Sequence, residues 1–261
     1  MFFSGFPLSK VERTLNKLLD DMAGYNMQRT VKNISCYKNA ISYCQGTNKG
    51  TICFLTDNEG STADTVSLQS RILELVACII FNQYNLATWD LTQSKLKDYE
   101  KKFAGLIFPY VCAFYRGMSA IAFLRQSSNN KQAIKIAKIC LKKLKKGHKK
   151  CHRQDGKCIL CHQLQLLEAE WFAIHNKSDK AEELYKLACS NAANTKVYHE
   201  NALICERYGE FLLQRGNEED GLEQLRQSYQ LYHKWGSAPK CKQLKEKFLR
   251  LNEEKNLLAV I

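Results

Sequence analysis

From Leu8 onward, apolar residues recur at spacings of three and four along almost the whole chain, and strict alternation is nearly absent. That is the period of a helix face and not of a strand. Only three prolines interrupt the 261 residues, at Pro7, Pro109 and Pro239, each near a helix start or a joint. The stretch "LSKVERTLNKLLDDM" sets Leu8, Val11, Leu15, Leu18, Leu19 and Met22 on one side. "NMQRTVKNISCYKNAISYC" continues with Val31, Ile34, Tyr37, Ile41 and Cys44. The period then lapses in a Gly-, Asn- and Thr-rich segment at 46–64, which predicts a long loop. Beyond it the spacing resumes, and about eleven helices are predicted in all. An apolar content of 45% supplies enough side chain for a packed core.

Pairs of these helices repeat. In "EAEWFAIHNKSDKAEELYKLA", Ala169 and Phe172 precede a polar turn, after which Ala181, Tyr185 and Ala188 follow at helical spacing. Some forty residues on, "RYGEFLLQRGNEEDGLEQLRQS" does the same with Gly209, Leu212, Gly216, Gly221, Leu225 and Ser228. A looser copy holds Ala77, Ile80, Ala87, Leu91 and Ser94. Small residues here let antiparallel helices approach, while larger ones fill the groove between pairs. The sequence therefore predicts an all-α chain, an antiparallel helix-hairpin solenoid of degenerate tetratricopeptide-like repeats without a strict period. It reads as a single domain over 1–261. Within it, 1–126 holds the N-terminal pairs, 127–158 a basic helix and loop, 159–252 the most regular repeats, and 253–261 a tail. Trp89, Tyr115, Trp171, Tyr208 and Trp235 are expected to hold the stack together.

Charge is concentrated in one place. The net charge is +13, and residues 131–157 contribute ten lysines and Arg153 against the single acid Asp155. In "KQAIKIAKICLKKLKK", Ala133, Ile134, Ala137, Cys140, Leu141 and Leu144 form an apolar side opposite lysines. The helix, with its patch Lys142, Lys143, Lys145, Lys146, Lys149 and Lys150, suits anionic lipid, calmodulin or nucleic-acid phosphate. It equally suits the solvated coat of a solenoid helix, with lysine stems covering apolar edges. Residues 124–170 contain no Phe, Tyr or Trp, which argues against base stacking there.

The same window carries thiols. Cys158 to His162 fits a C-x-x-C-H haem attachment pattern, but that chemistry belongs to exported proteins and no secretory leader is visible. Zinc is the stronger alternative, with Cys151, Cys158, Cys161 and His162 as the candidate ligands and His148 and His152 nearby. The surrounding lysines count against a dication, and the second half of a paired zinc motif is missing. The plain reading makes 147–157 a polar loop and His162 a packing residue at the next helix start; no cofactor is then needed.

Three stretches carry a resemblance: "FFSGFPLSKVERTL", "LLEAEWFAIHNKSDKAEELYKLA" and "ENALICERYGEFLLQRGNEEDGLEQLRQSYQLYHKWGSAPKCKQLKEKF". They resemble the tetratricopeptide-like helical-repeat region of multi-sensor hybrid histidine kinases, large signalling ATPases of the STAND (AAA) type. The likeness is most specific at 197–248, with "YHKWG" at Tyr232 to Gly236 as its most distinctive piece. The resemblance extends to soluble adenylyl cyclases, with a related ATPase and helical tail, as an alternative parent. The resemblance implies a non-catalytic connector that binds protein partners or neighbouring domains, with a histidine near His162 and without the cysteine cluster.

The residues themselves point the same way. The chain has no G-x-x-x-x-G-K-[ST] loop, no kinase glycine loop and no G-x-S-x-G frame. Glu168 and Glu170 flank Ala169, so a helix sends them to different sides and they form no carboxylate pair. No apolar run reaches the length of a transmembrane helix, and a cytoplasmic protein with reduced thiols is expected. The lack of a polar capping helix before Phe6 further predicts preceding protein.

Overall fold

The computed structural model describes residues 5–25, 27–47, 65–84, 88, 89, 92, 108–155, 158 and 160–258; the side chains of 29, 65–68, 152–155 and 251–258 lie outside that description. Among the described residues the chain is all-helical. Its helices are α1 (Leu8–Asp21), α2 (Gln28–Gln45), α3 (Thr65–Ile80), α4 (Phe108–Gln126), α5 (Lys131–Asp155), α6 (Cys161–Ala173), α7 (Ser178–Ala193), α8 (Tyr198–Gln214), α9 (Glu218–Trp235) and α10 (Ala238–Leu258). The expected loop at 46–64 falls almost wholly outside the described residues, as do Ala87, Leu91 and Ser94.

The tightest packing joins sequence neighbours into hairpins: α4 with α5, α6 with α7, and α8 with α9. Small residues make this possible. Ala169, Ala181 and Ala188 are fully buried between α6 and α7. Gly209 and Gly221 face one another across α8 and α9, where a Cβ on Gly209 would stand 2.8 Å from the carbonyl oxygen of Gly221. Tyr185, Leu212, Leu225 and Trp235 are buried around these crossings, whereas Phe172 is only partly buried, with Lys180 Nζ 4.7 Å above its ring. Gly216 and Gly236 take left-handed conformations (φ 79° and 95°) just past α8 and α9, which glycine adopts without strain.

Two differences from the sequence reading have simple causes. The predicted loop 147–157 is helical as far as Asp155, because the buried face of α5 at Ala137, Cys140 and Leu144 continues through Gly147. Gly147 lies against Tyr110, where a Cβ would come within 2.5 Å of the ring. Leu18 and Val31, assigned to apolar faces, are exposed at 39% and 36%. Helix α1 packs chiefly on α2, so burial there is one-sided.

Early and late elements also meet. Ser237 Oγ donates to the carbonyl oxygen of Cys44 at 2.6 Å, Pro239 packs against Gly46, and Gln243 Nε2 donates to the Phe81 carbonyl oxygen at 3.0 Å. Gly5 lies so close to Val197 that any side chain there would clash with backbone. Contacts between α2 and α10 thus join the two ends of the stack.

Candidate functional site

Three features stand out, and all three hang on the hairpins just described. The first is a set of buried glutamates on α6 and α8. Glu170 accepts from Tyr185 Oη (2.7 Å) and from Arg207 Nε and Nη2 (3.1 and 3.2 Å), and Arg125 Nη2 lies 2.6 Å from it. Glu206 accepts from Lys240 Nζ (2.7 Å), Asn82 Nδ2 (3.0 Å) and Tyr232 Oη (3.1 Å). Glu200 accepts from Gln163 Nε2 (2.7 Å) and lies 2.6 Å from His162 Nε2, with Tyr115 Oη at 3.5 Å. Burial, followed by the charge of the neighbouring glutamate, raises Tyr115, Tyr185 and Tyr232 well above the ordinary phenol value, so each phenol stays a donor. Burial alone would raise the Glu200 carboxyl; the hydrogen bond and charge of His162 outweigh it and hold the group below its usual value. Glu168, by contrast, pairs with Lys145 at 2.7 Å, so the two carboxylates do diverge. Around Arg125, Arg207, Glu210 and Lys247 a cleft of about 510 Å³ opens, with Tyr84 and Gln126 also on its wall.

A second feature is the basic face of α5. Lys138, Lys142, Lys145, Lys146 and Lys149 line an open groove of about 580 Å³ together with Leu141 and Trp171. Of the patch expected from sequence, Lys143 and Lys150 lie off this groove. Trp171 was not linked to the lysines by sequence, because it lies one residue beyond the stretch without aromatics. The packing of α6 on α5 brings it there, half-buried and 4.3 Å from the His175 ring. A flat aromatic among cations suits a planar or anionic ligand.

The third feature is the thiol cluster. His148 and Cys151 are three apart on the last turns of α5, hence on one face. Cys158 precedes α6 and Cys161 opens it. Ligand atoms of His148, Cys158 and Cys161 all lie within 4.8 Å of one another. Burial is the main cause that raises the Cys158 thiol above its ordinary value. The ligand set expected from sequence is therefore divided. His162 is 3% exposed and turned inward to Glu200, and His148 takes its place beside the cysteines. Adjacent helical residues point about 100° apart, so Cys161 and His162 cannot both face the cluster. The His152 side chain lies outside the described residues.

No family model, curated protein or solved structure matches the chain. Among the described residues no helix is long and apolar enough to cross a membrane.

Proposed function

We propose that the chain is a protein-interaction and signal-relay module, working as a connector between domains like the histidine-kinase-associated region its sequence resembles. The observation that carries this reading is the set of three buried glutamates. Their donors come from the turn after α3 and from α4, α6, α7, α9 and α10, and the glutamates themselves sit on α6 and α8. Withdrawing α10 would take Lys240 from Glu206 and strand a buried charge, at a cost of about 3–5 kcal/mol, and displacing α7 or α9 would break a buried hydrogen bond to a glutamate at about 1–3 kcal/mol. The helices consequently move as one body, and a displacement imposed at one end is delivered at the other. The charged cleft beside Arg125 and Arg207 offers a partner fixed polar groups. None of the described cysteines forms a disulfide, which fits a reducing cytoplasm.

The test is an immunoblot of native extract with an antibody against the chain, followed by peptide sequencing of the band. The reading expects a polypeptide many times larger than 30.0 kDa with ATPase or kinase modules in the same band. A 30.0 kDa band that co-precipitates with no other protein overturns it.

The lysine groove with Trp171 favours a second reading, a basic adaptor for nucleic acid or an anionic membrane. That reading expects salt-sensitive binding to single-stranded RNA or anionic vesicles, lost when Lys142, Lys143, Lys145 and Lys146 are changed to Glu. The relay reading expects partner association to survive those changes.

A further inference from the structure

We propose that His148, Cys151, Cys158 and Cys161 form a structural zinc site that staples the end of α5 to the start of α6. Two observations converge on it, the ligand spacing and the placement of the atoms. Cys158-x2-Cys161 at a helix start is one ligand arm, and His148-x2-Cys151 on a helix supplies the second that no further C-x2-C or H-x3-H pair provides. The arms lie seven residues apart in sequence, and the packing of α6 on α5 holds them together. The atoms are nearly in place. Ligands on a tetrahedral zinc lie about 3.8 Å apart given Zn–S bonds of about 2.3 Å. The atoms of His148, Cys158 and Cys161 are already within 4.8 Å of one another, and Cys151, one turn beyond His148 on the same face of α5, supplies the fourth ligand. A contraction of about 1 Å closes the site.

Charge selects the metal and explains the setting. Zn²⁺ with three thiolates and a neutral imidazole carries a net charge of −1, so the complex is an anion. The lysines of α5 that seem to repel a dication raise the local positive potential, which favours the anionic assembled centre and lowers the cost of ionising its thiols. Binding releases the three thiol protons to solvent and changes no oxidation state. Three sulfurs exclude magnesium and calcium, and four protein ligands leave no open position for substrate. The site is accordingly a staple. It fixes how α6 leaves α5, and with it the position of Trp171 against the lysine row.

Cobalt(II), added to the reduced and metal-free full chain, is the probe. One equivalent should give a sulfur-to-cobalt charge-transfer band in the near ultraviolet and the intense visible bands of tetrahedral coordination. Zinc should displace it, and chelation should lower the thermal midpoint of the wild-type chain. Cys158→Ser and Cys161→Ser should each lose the charge-transfer band and the sensitivity to chelator, while His148→Gln should shift the visible bands. Cys189→Ser should change neither; it alters the thiol pair at Cys189 and Cys205 elsewhere in the fold, so it also controls for folding. Absence of a sulfur band in folded wild-type protein overturns the proposal, as does a band that survives both Cys158→Ser and Cys161→Ser.

Discussion

Lys240→Met isolates the energetic core of the relay argument. Lys240 and Glu206 are 0% and 1% exposed, and the ammonium lies 2.7 Å from the carboxylate and 2.8 Å from Gln243 Oε1. Methionine retains most of the side-chain volume, so little of the effect comes from a cavity. What is lost is the one cation bonded to Glu206, leaving a carboxylate out of water with two neutral donors, Tyr232 and Asn82. Breaking a buried pair from one side costs about 3–5 kcal/mol. With a urea m-value of about 3 kcal/mol/M for a chain of this size, the midpoint should fall by roughly 1 to 2 M. Adding Glu206→Gln removes the stranded charge yet keeps an acceptor for Tyr232 and Asn82. The double variant should therefore lose only about 1–2 kcal/mol, less than Lys240→Met alone. The assay is urea unfolding followed by circular dichroism. A Lys240→Met midpoint within about 0.3 M of wild type at unchanged m, or a double variant whose losses simply add, refutes the reasoning.

Other perturbations test separate parts of the fold. Gly209→Ala pushes a methyl onto the Gly221 carbonyl and should cost about 1–3 kcal/mol in thermal unfolding, whereas Gly24→Ala, with nothing within 4 Å, should stay within about 0.5 kcal/mol. His199 is fully buried against Trp235, and burial lowers its pKa from 6.5 to about 4. Below pH 6.5 the unfolded ring takes up a proton that the folded ring refuses. Its contribution, up to about 3 kcal/mol, is complete above that pH and is lost progressively as the pH falls toward 4. His199→Gln should flatten this part of the stability profile measured by urea midpoints; an unchanged acid limb would contradict the assignment. In the lysine groove, Trp171→Ala should weaken any single-stranded RNA binding by about 1–3 kcal/mol in a fluorescence titration and leave its salt slope unchanged.

How far each feature could be read in advance depends on the range of the interaction behind it. Helix class, the pairing of α6 with α7 and of α8 with α9, and the small residues at their crossings follow from spacing within some forty residues, so local sequence carries them. The same locality misled at 147–157. There a glycine and a run of polar residues look like a loop, yet Gly147 is the close-approach point against Tyr110 on α4. The glutamates Glu170, Glu200 and Glu206 carry no mark of burial in sequence, because their partners lie 15 to 124 residues away. The Cys and His cluster was legible in sequence, but not which histidine stands with the thiols. Helical phase turns His162 inward to Glu200 and brings His148 to the cysteines.

By itself, then, the sequence determined that this chain is helical, hairpin-paired and basic along one helix, since periodicity and composition act over a few turns. Only the tertiary structure decided which charges are buried together, which histidine stands with the thiols, and that Ser237 meets Cys44 across 193 residues. Those outcomes depend on where whole helices come to rest against one another, and no local period encodes that.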